Sequence, residues 1–423
     1  MRSIDTSRLY NSPKAVVWVI LLLSLALRIA FVMTMDRDAF YFIDTSEYDH
    51  AATNLLKEGR YGGEYERPPV YPVFLAAVYL VSYQNFMLVR LVQCGLGALI
   101  CVLIVGVGTR LYGGQTGFYA GLIAAIYPMF IFISGLLYPT TLITLWLLLV
   151  VFFLLRGTDD NPLANFSLAG LFMGLAILTK PVAIGLLILL ISYFLFKKEP
   201  AGSKRLSAIS LFVCCATLVT ATWVVRNYVV RGELSVIESN KRILDVLEVQ
   251  DIDQEGQALS TKTRFIRLIS ERSDEFLGRF ARELRNFWAL YPDRLNTADP
   301  VKRDSYKRRD DRLQTNNPYL GNLKKYVSIV SFSPILLFGF VGFLLSLQKR
   351  KKVFLLVSPI LSFWVGYSFF YAKTRYRIPV EPFLIILSAW GVTTLVRWFT
   401  EKLKPSFGKK RIKAGLARKV NEL

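Results

Sequence analysis

Two short stretches hold residues whose types can move a proton and hold an anion. The first runs Tyr41-Phe42-Ile43-Asp44-Thr45-Ser46-Glu47-Tyr48 and follows an apolar run after a short connection, so its acids stand near a membrane surface. Asp44 can act as a general base on an acceptor hydroxyl, a task that needs a carboxylate within hydrogen-bond reach of the proton. It can equally cap the helix expected over 45–57, since aspartate is a favoured N-cap. The second stretch runs Glu64-Tyr65-Glu66-Arg67-Pro68-Pro69-Val70-Tyr71-Pro72. Arg67, beside two rigid prolines, is placed either to hold a phosphate by paired hydrogen bonds or to sit as an ordinary interfacial arginine.

The elements that must position these residues are membrane spans. The 423-residue chain is 53% hydrophobic and 14% aromatic, with a mean hydropathy of +0.39. Composition alone decides little, because soluble domains are also about half apolar. The arrangement decides: apolar runs of about 20 residues recur, the length needed to cross about 30 Å of hydrocarbon as helix. The expected architecture is an all-α polytopic membrane protein of about ten transmembrane helices, at 15–35, 86–109, 115–136, 140–156, 165–179, 181–197, 206–226, 326–347, 353–371 and 378–398. The first run is too long for a signal-peptide core and has no small-residue cleavage site, so it is expected to remain as an anchor.

A further apolar stretch, 69–83, is short and opens on prolines. Charge parity places it along the surface. If it does not cross, the clusters Lys197-Lys198, Lys204-Arg205, Lys349 to Lys352 and Lys409 to Lys413 all face the cytoplasm. If it crosses, every one of them faces outward, against the positive-inside rule. The first outer loop, 36–85, therefore carries surface helices. A second large outer loop, 231–325, contains an amphipathic helix over 263–291, with Phe265, Ile269, Phe276, Phe280, Leu284, Phe287 and Trp288 at helical spacing. That helix is expected to rest on the membrane or the bundle rather than form an acceptor site. The chain divides into a transmembrane module over 1–230, the loop 231–325, the last spans over 326–399 and a basic tail, 400–423, lying on anionic headgroups.

The formal net charge of +21 follows this topology, since the basic residues gather in short loops and the tail. No basic groove interleaved with stacking aromatics points to nucleic acid. The four cysteines, Cys94, Cys101, Cys214 and Cys215, lie inside apolar runs, and the single histidine is His50, so neither a zinc site nor a disulfide framework is expected. Several cations break the topology rule. Arg28 lies inside the first span, Arg90 near the outer end of the second, Lys180 at a turn between two short spans, Arg226 at the end of the seventh, and Lys373, Arg375 and Arg377 at the last outer turn. Each alone reads as a snorkelling side chain. Together they point to a membrane-level anion on the outer face, such as a lipid phosphate whose developing charge preorganised cations stabilise.

These residues resemble the membrane-embedded glycosyltransferases of the C superfamily (GT-C), in particular bacterial members related to dolichyl-phosphate-mannose protein mannosyltransferases and to the aminoarabinose transferase of lipid A. The resemblance covers about 12–232 and the last span. Asp44 matches the family's first-loop acid and Tyr48 its tyrosine, while Thr45 stands where a second acid is usual. Glu66-Arg67-Pro68-Pro69, Leu178-Thr179-Lys180-Pro181, Trp223-Val224-Val225-Arg226-Asn227-Tyr228 and Arg375-Tyr376-Arg377-Ile378-Pro379-Val380-Glu381-Pro382 also resemble this group. The resemblance implies Asp44 as catalytic base, with Tyr48, Glu66, Arg67, Lys180, Arg226, Arg375 and Arg377 binding substrate. It implies a polyprenyl-phosphate-linked sugar as donor, a glycolipid, glycan or protein as acceptor, and an inner-membrane location with the site on the outer face. Relatives often carry a second-loop acid where this chain has Leu137-Tyr138-Pro139-Thr140-Thr141, so no divalent metal or other cofactor is expected. The alternative is a transporter or flippase of lipid-linked sugars, which would more often show inverted repeats and broken helices.

Overall fold

The computed structural model describes residues 13–37, 39–40, 44–61, 67–197, 204–232, 234, 273–291, 301–302, 318–349, 353–370 and 372–403. These are almost wholly helical. Helix α1 spans Pro13–Val32, α2 Asp44–Glu58, α3 Val70–Ser82, α4 Phe86–Tyr112, α5 Gly114–Ile126, α6 Pro128–Ser134, α7 Thr140–Asp159, α8 Pro162–Thr179, α9 Ile184–Lys197 and α10 Arg205–Arg231. Then follow α11 Ser273–Phe287, α12 Pro318–Lys349, α13 Val353–Ser368, the single turn α14 Thr374–Arg377 and α15 Glu381–Leu403. One antiparallel pair of two-residue strands, Ala39–Phe40 (β1) with Val301–Lys302 (β2), joins the two large loops.

Seven helices among the described residues are long and apolar enough to cross a membrane, and α5–α6, bent by 57° at Tyr127, supplies an eighth as one broken span. The two remaining expected spans are shorter apolar helices, Pro181–Phe196 and Val353–Ser368. The stretch over 69–83 is the 13-residue helix α3. At 1.5 Å per residue it reaches about 20 Å, too little to cross the hydrocarbon alone.

The spans pack where small residues let backbones approach, as membrane helices do without a hydrophobic drive between them. A Cβ on Gly170 of α8 would run into the Phe212 carbonyl of α10, and one on Gly342 of α12 into the Leu387 carbonyl of α15. A second core lies under the first loop. There Tyr48 and Ala52 of α2, Tyr71, Leu75 and Tyr79 of α3, Val89 of α4, and Leu137 and Tyr138 are buried together. The Tyr79 hydroxyl donates to the buried Asp49 carboxylate at 2.8 Å, tying α3 to α2. Of the amphipathic stretch 263–291, Ser273–Phe287 is helical as expected, and 263–272 lies outside the described residues.

Candidate active site

The site is built on two tyrosine rings. Tyr48 lies one helical turn after Asp44 on α2 and is 1% exposed. Its ring meets Tyr71 edge-on at 5.2 Å and Tyr138 at 5.7 Å. The Arg67 guanidinium stands over Tyr48 at 5.4 Å and is ion-paired with Glu47 of the same helix. Over Tyr138 stand both the Lys180 ammonium, at 5.3 Å, and the Arg375 guanidinium, at 5.2 Å. Tyr376 continues the aromatic wall, 5.3 Å from Arg375 and stacked on Tyr367 at 4.3 Å. Three cations from three distant segments thus share one pair of ring faces, each drawn to the negative π-face.

Each segment has a local reason for its place. The chain before Tyr138 leaves α6, whose last carbonyls lack intrahelical donors. Side chains of α4 serve the Ser134 carbonyl and the two that follow it: Gln93 donates to the Ser134 and Leu136 carbonyls at 3.1 and 2.7 Å, and Arg90 to Gly135 at 3.0 Å. Tyr71 in turn donates to Gln93 at 3.0 Å, so the wall and the pin are one network. Arg90, expected among the cations of the anion site, instead holds backbone. Lys180 precedes a proline, which disfavours helical backbone. It is extended, with φ −147° and ψ 105°, and its side chain departs from the α8 line.

Helix α11 holds the Arg375 turn. Glu283 accepts from the Ala372 N–H at 2.8 Å, Trp364 donates to the Leu284 carbonyl at 2.9 Å, and Phe280 packs on Phe369 at 4.8 Å. Arg377 does not join the other cations. It is 2% exposed, paired with Glu381 at 2.8 Å, and donates to the Phe287 and Ala289 carbonyls at 3.2 and 2.7 Å. Its spacing of two residues from Arg375 turns it into the bundle, where it staples α11 to the last span.

Arg226 lies at the margin, over Trp223 at 4.8 Å and Tyr61 at 5.6 Å, and donates to the Tyr61 carbonyl. Tyr61 donates in turn to the Arg67 carbonyl at 2.5 Å, so Arg226 reaches the site through one intermediary. Burial above all, then the neighbouring Tyr48, hold the Tyr61 phenol well above its ordinary pKa, against the opposing pull of Arg226 and Arg67. Asp44 is the first residue of α2. Its side chain, and Glu66 altogether, lie outside the described residues. Thr140 and Thr141 are buried at the start of α7. Among the described residues no three His, Cys, Asp or Glu side chains come together.

The sequence reading missed Glu47, Tyr61, Tyr71 and Tyr138. Only Glu47 left a signal: it stands three residues after Asp44, one helical turn along the same face.

This all-helical bundle, with surface helices between its first two spans and a broken span behind them, has the GT-C fold of membrane glycosyltransferases. Residues 66–225 match the dolichyl-phosphate-mannose-protein mannosyltransferase family. The bundle is similar to ArnT from Cupriavidus metallidurans bound to undecaprenyl phosphate, at 17% identity and a TM-score of 0.51 over 98% of this chain and 64% of that one. It is also similar to the archaeal oligosaccharyltransferase AglB from Archaeoglobus fulgidus, in complex with an inhibitory peptide and a dolichol-phosphate, at 14% identity and a TM-score of 0.55 over 93% of this chain and 52% of that one. The chain therefore spans less than two thirds of either structure. No curated protein matches the sequence.

Proposed function

We propose that the protein transfers a sugar from a polyprenyl-phosphate donor to a glycolipid, glycan or protein acceptor, inverting the anomeric centre, at a site on the outer face of the inner membrane. The observation that carries this reading is the convergence of Arg67, Lys180 and Arg375 on Tyr48 and Tyr138, beside the helix that Asp44 opens. The acceptor oxygen attacks the anomeric carbon, the carbon–oxygen bond to phosphate breaks, and the polyprenyl phosphate leaves with the electron pair. Asp44 takes the acceptor proton. Arg67, Lys180 and Arg375 stabilise the charge that grows on the leaving phosphate; cations fixed in advance do this without reorganisation. The likeness to two proteins whose structures hold polyprenyl phosphates supports the donor class.

The bent pair α5–α6 is a broken span of the kind transporters use, so export of the same lipid-linked sugar is the second reading. Mass spectrometry of lipids retained by the purified full chain, with Asp44→Asn beside it, tests the donor. A polyprenyl-phosphate monosaccharide in both preparations, followed by its transfer to membrane acceptors by the wild type alone, supports the transferase. Release of the intact donor across the bilayer with no covalent product supports the transporter. Ordinary phospholipid alone, with no retention of added donor, removes both.

A further inference from the structure

Arg28 sits within α1, 1% exposed, and the proposed reaction makes no use of it. A guanidinium stays protonated at any pH the protein meets. A buried charge needs a partner, since taking an ion out of water is costly. Among the described residues Arg28 meets only neutral acceptors: the Ser24 carbonyl at 3.1 Å, the Ser24 hydroxyl, the Ala125 carbonyl at 3.5 Å and the Cys101 sulfur at 3.4 Å. Its Nε–H has no hydrogen-bond partner.

Arg28 lines a small internal cavity together with Gly97, Phe130, Ser134, Thr141 and Thr144 among others. Thr141, 1% exposed, also lines it, and its hydroxyl has no hydrogen-bond partner either. Ser134 and Thr144 donate at present to the Phe130 and Thr140 carbonyls of their own helices, at 2.9 and 2.7 Å. Both hydroxyls rotate freely enough to face the cavity instead. The cavity also lies at the first turn of the 20-residue α7, the positive end of its dipole. Gly97 lets these two groups pack close to α4: a Cβ there would stand 2.6 Å from Arg28 Nε and 2.8 Å from the Ser134 oxygen.

We propose that Arg28 Nε and the Thr141 hydroxyl, with Ser134 and Thr144, bind a single monatomic anion of the halide class that balances the buried guanidinium. Size sets the class. The cavity is about 10 Å³, near the lower limit for a single particle; a chloride ion, somewhat larger than water, enters with a small outward shift of the lining hydroxyls. Phosphate, sulfate and carboxylates do not fit, so this site is separate from the one assigned to the lipid phosphate. Charge sets the choice between an anion and a water molecule, because water leaves the guanidinium uncompensated.

The test is thermal unfolding of the full chain in detergent, exchanged into sodium gluconate and titrated with chloride or bromide at constant ionic strength. Wild type is expected to gain roughly 3–6 °C at saturating halide, the size of shift that tight binding to the folded state alone produces. Thr141→Val, which keeps Arg28 and the volume, is expected to lose most of the gain, as is Gly97→Ala, whose Cβ crowds Arg28 Nε and the Ser134 oxygen. Equal midpoints in gluconate and chloride for the wild type overturn the proposal and leave the cavity to water. A gain that persists undiminished in both variants overturns it too, since the halide then binds elsewhere.

Discussion

The Arg375 guanidinium stands 5.2 Å from the centre of the Tyr138 ring, on which the Lys180 ammonium also rests, at 5.3 Å. In the proposed reaction both cations hold the leaving phosphate. Arg375→Gln is therefore expected to lower kcat/KM for the lipid-linked sugar by about 10- to 100-fold, the range for losing one hydrogen-bonded charge. Tyr138→Leu, which removes the ring and keeps both cations, is expected to cost less and to act mainly through KM. A radiolabelled-donor transfer assay in nanodiscs measures both, and an unchanged kcat/KM in Arg375→Gln rules it out as a phosphate ligand.

Asp44→Asn keeps size and removes basicity. If Asp44 takes the acceptor proton, turnover falls by about 10²- to 10⁴-fold, the usual share of general acid–base catalysis, with retained donor unchanged. Near-normal turnover by a folded Asp44→Asn protein returns Asp44 to its other reading, a cap of α2.

The bundle was legible because crossing a bilayer imposes a length on apolar runs, and charge parity then placed α3 on the surface although its sequence is as apolar as a span. Lys180 and Arg375 stood out in the sequence as cations against the topology rule, and Arg67 by the two prolines beside it. The same test could not separate Arg375 from Arg377, or Lys180 from Arg90. That distinction depends on which carbonyls lie within reach after packing: those of Phe287 and Ala289 for Arg377, and that of Gly135 for Arg90. Tyr138 was illegible because nothing local marks a tyrosine between Leu137 and Pro139 as the meeting point of two cations encoded elsewhere.

Tyr61 joins Arg226 to Arg67, and burial holds its phenol well above the ordinary value near 10. The unfolded chain loses that proton first as pH rises, so the native contribution is complete below pH of about 10 and diminishes above it. Thermal midpoints measured from pH 7 to 11 are expected to fall more steeply for wild type than for Tyr61→Phe. Parallel curves show that the phenol does not couple to folding.

Arg377 and Glu381 form an ion pair at 2.8 Å with side chains 3% and 1% exposed. Removing one partner leaves an uncompensated buried charge, which costs about 3–5 kcal/mol. Arg377→Met also frees the Phe287 and Ala289 carbonyls and so loosens α11 from the bundle. The expected result is a sharp loss of folded protein in detergent, measured as a fall in thermal midpoint and in the monodisperse peak on size exclusion. Arg377→Met/Glu381→Leu removes both charges and is expected to recover part of the midpoint while leaving the two carbonyls unserved. If the double variant folds well, its activity decides the role of Arg377: substantial turnover marks the pair as structural, whereas a stable but inactive double variant restores Arg377 to the substrate site.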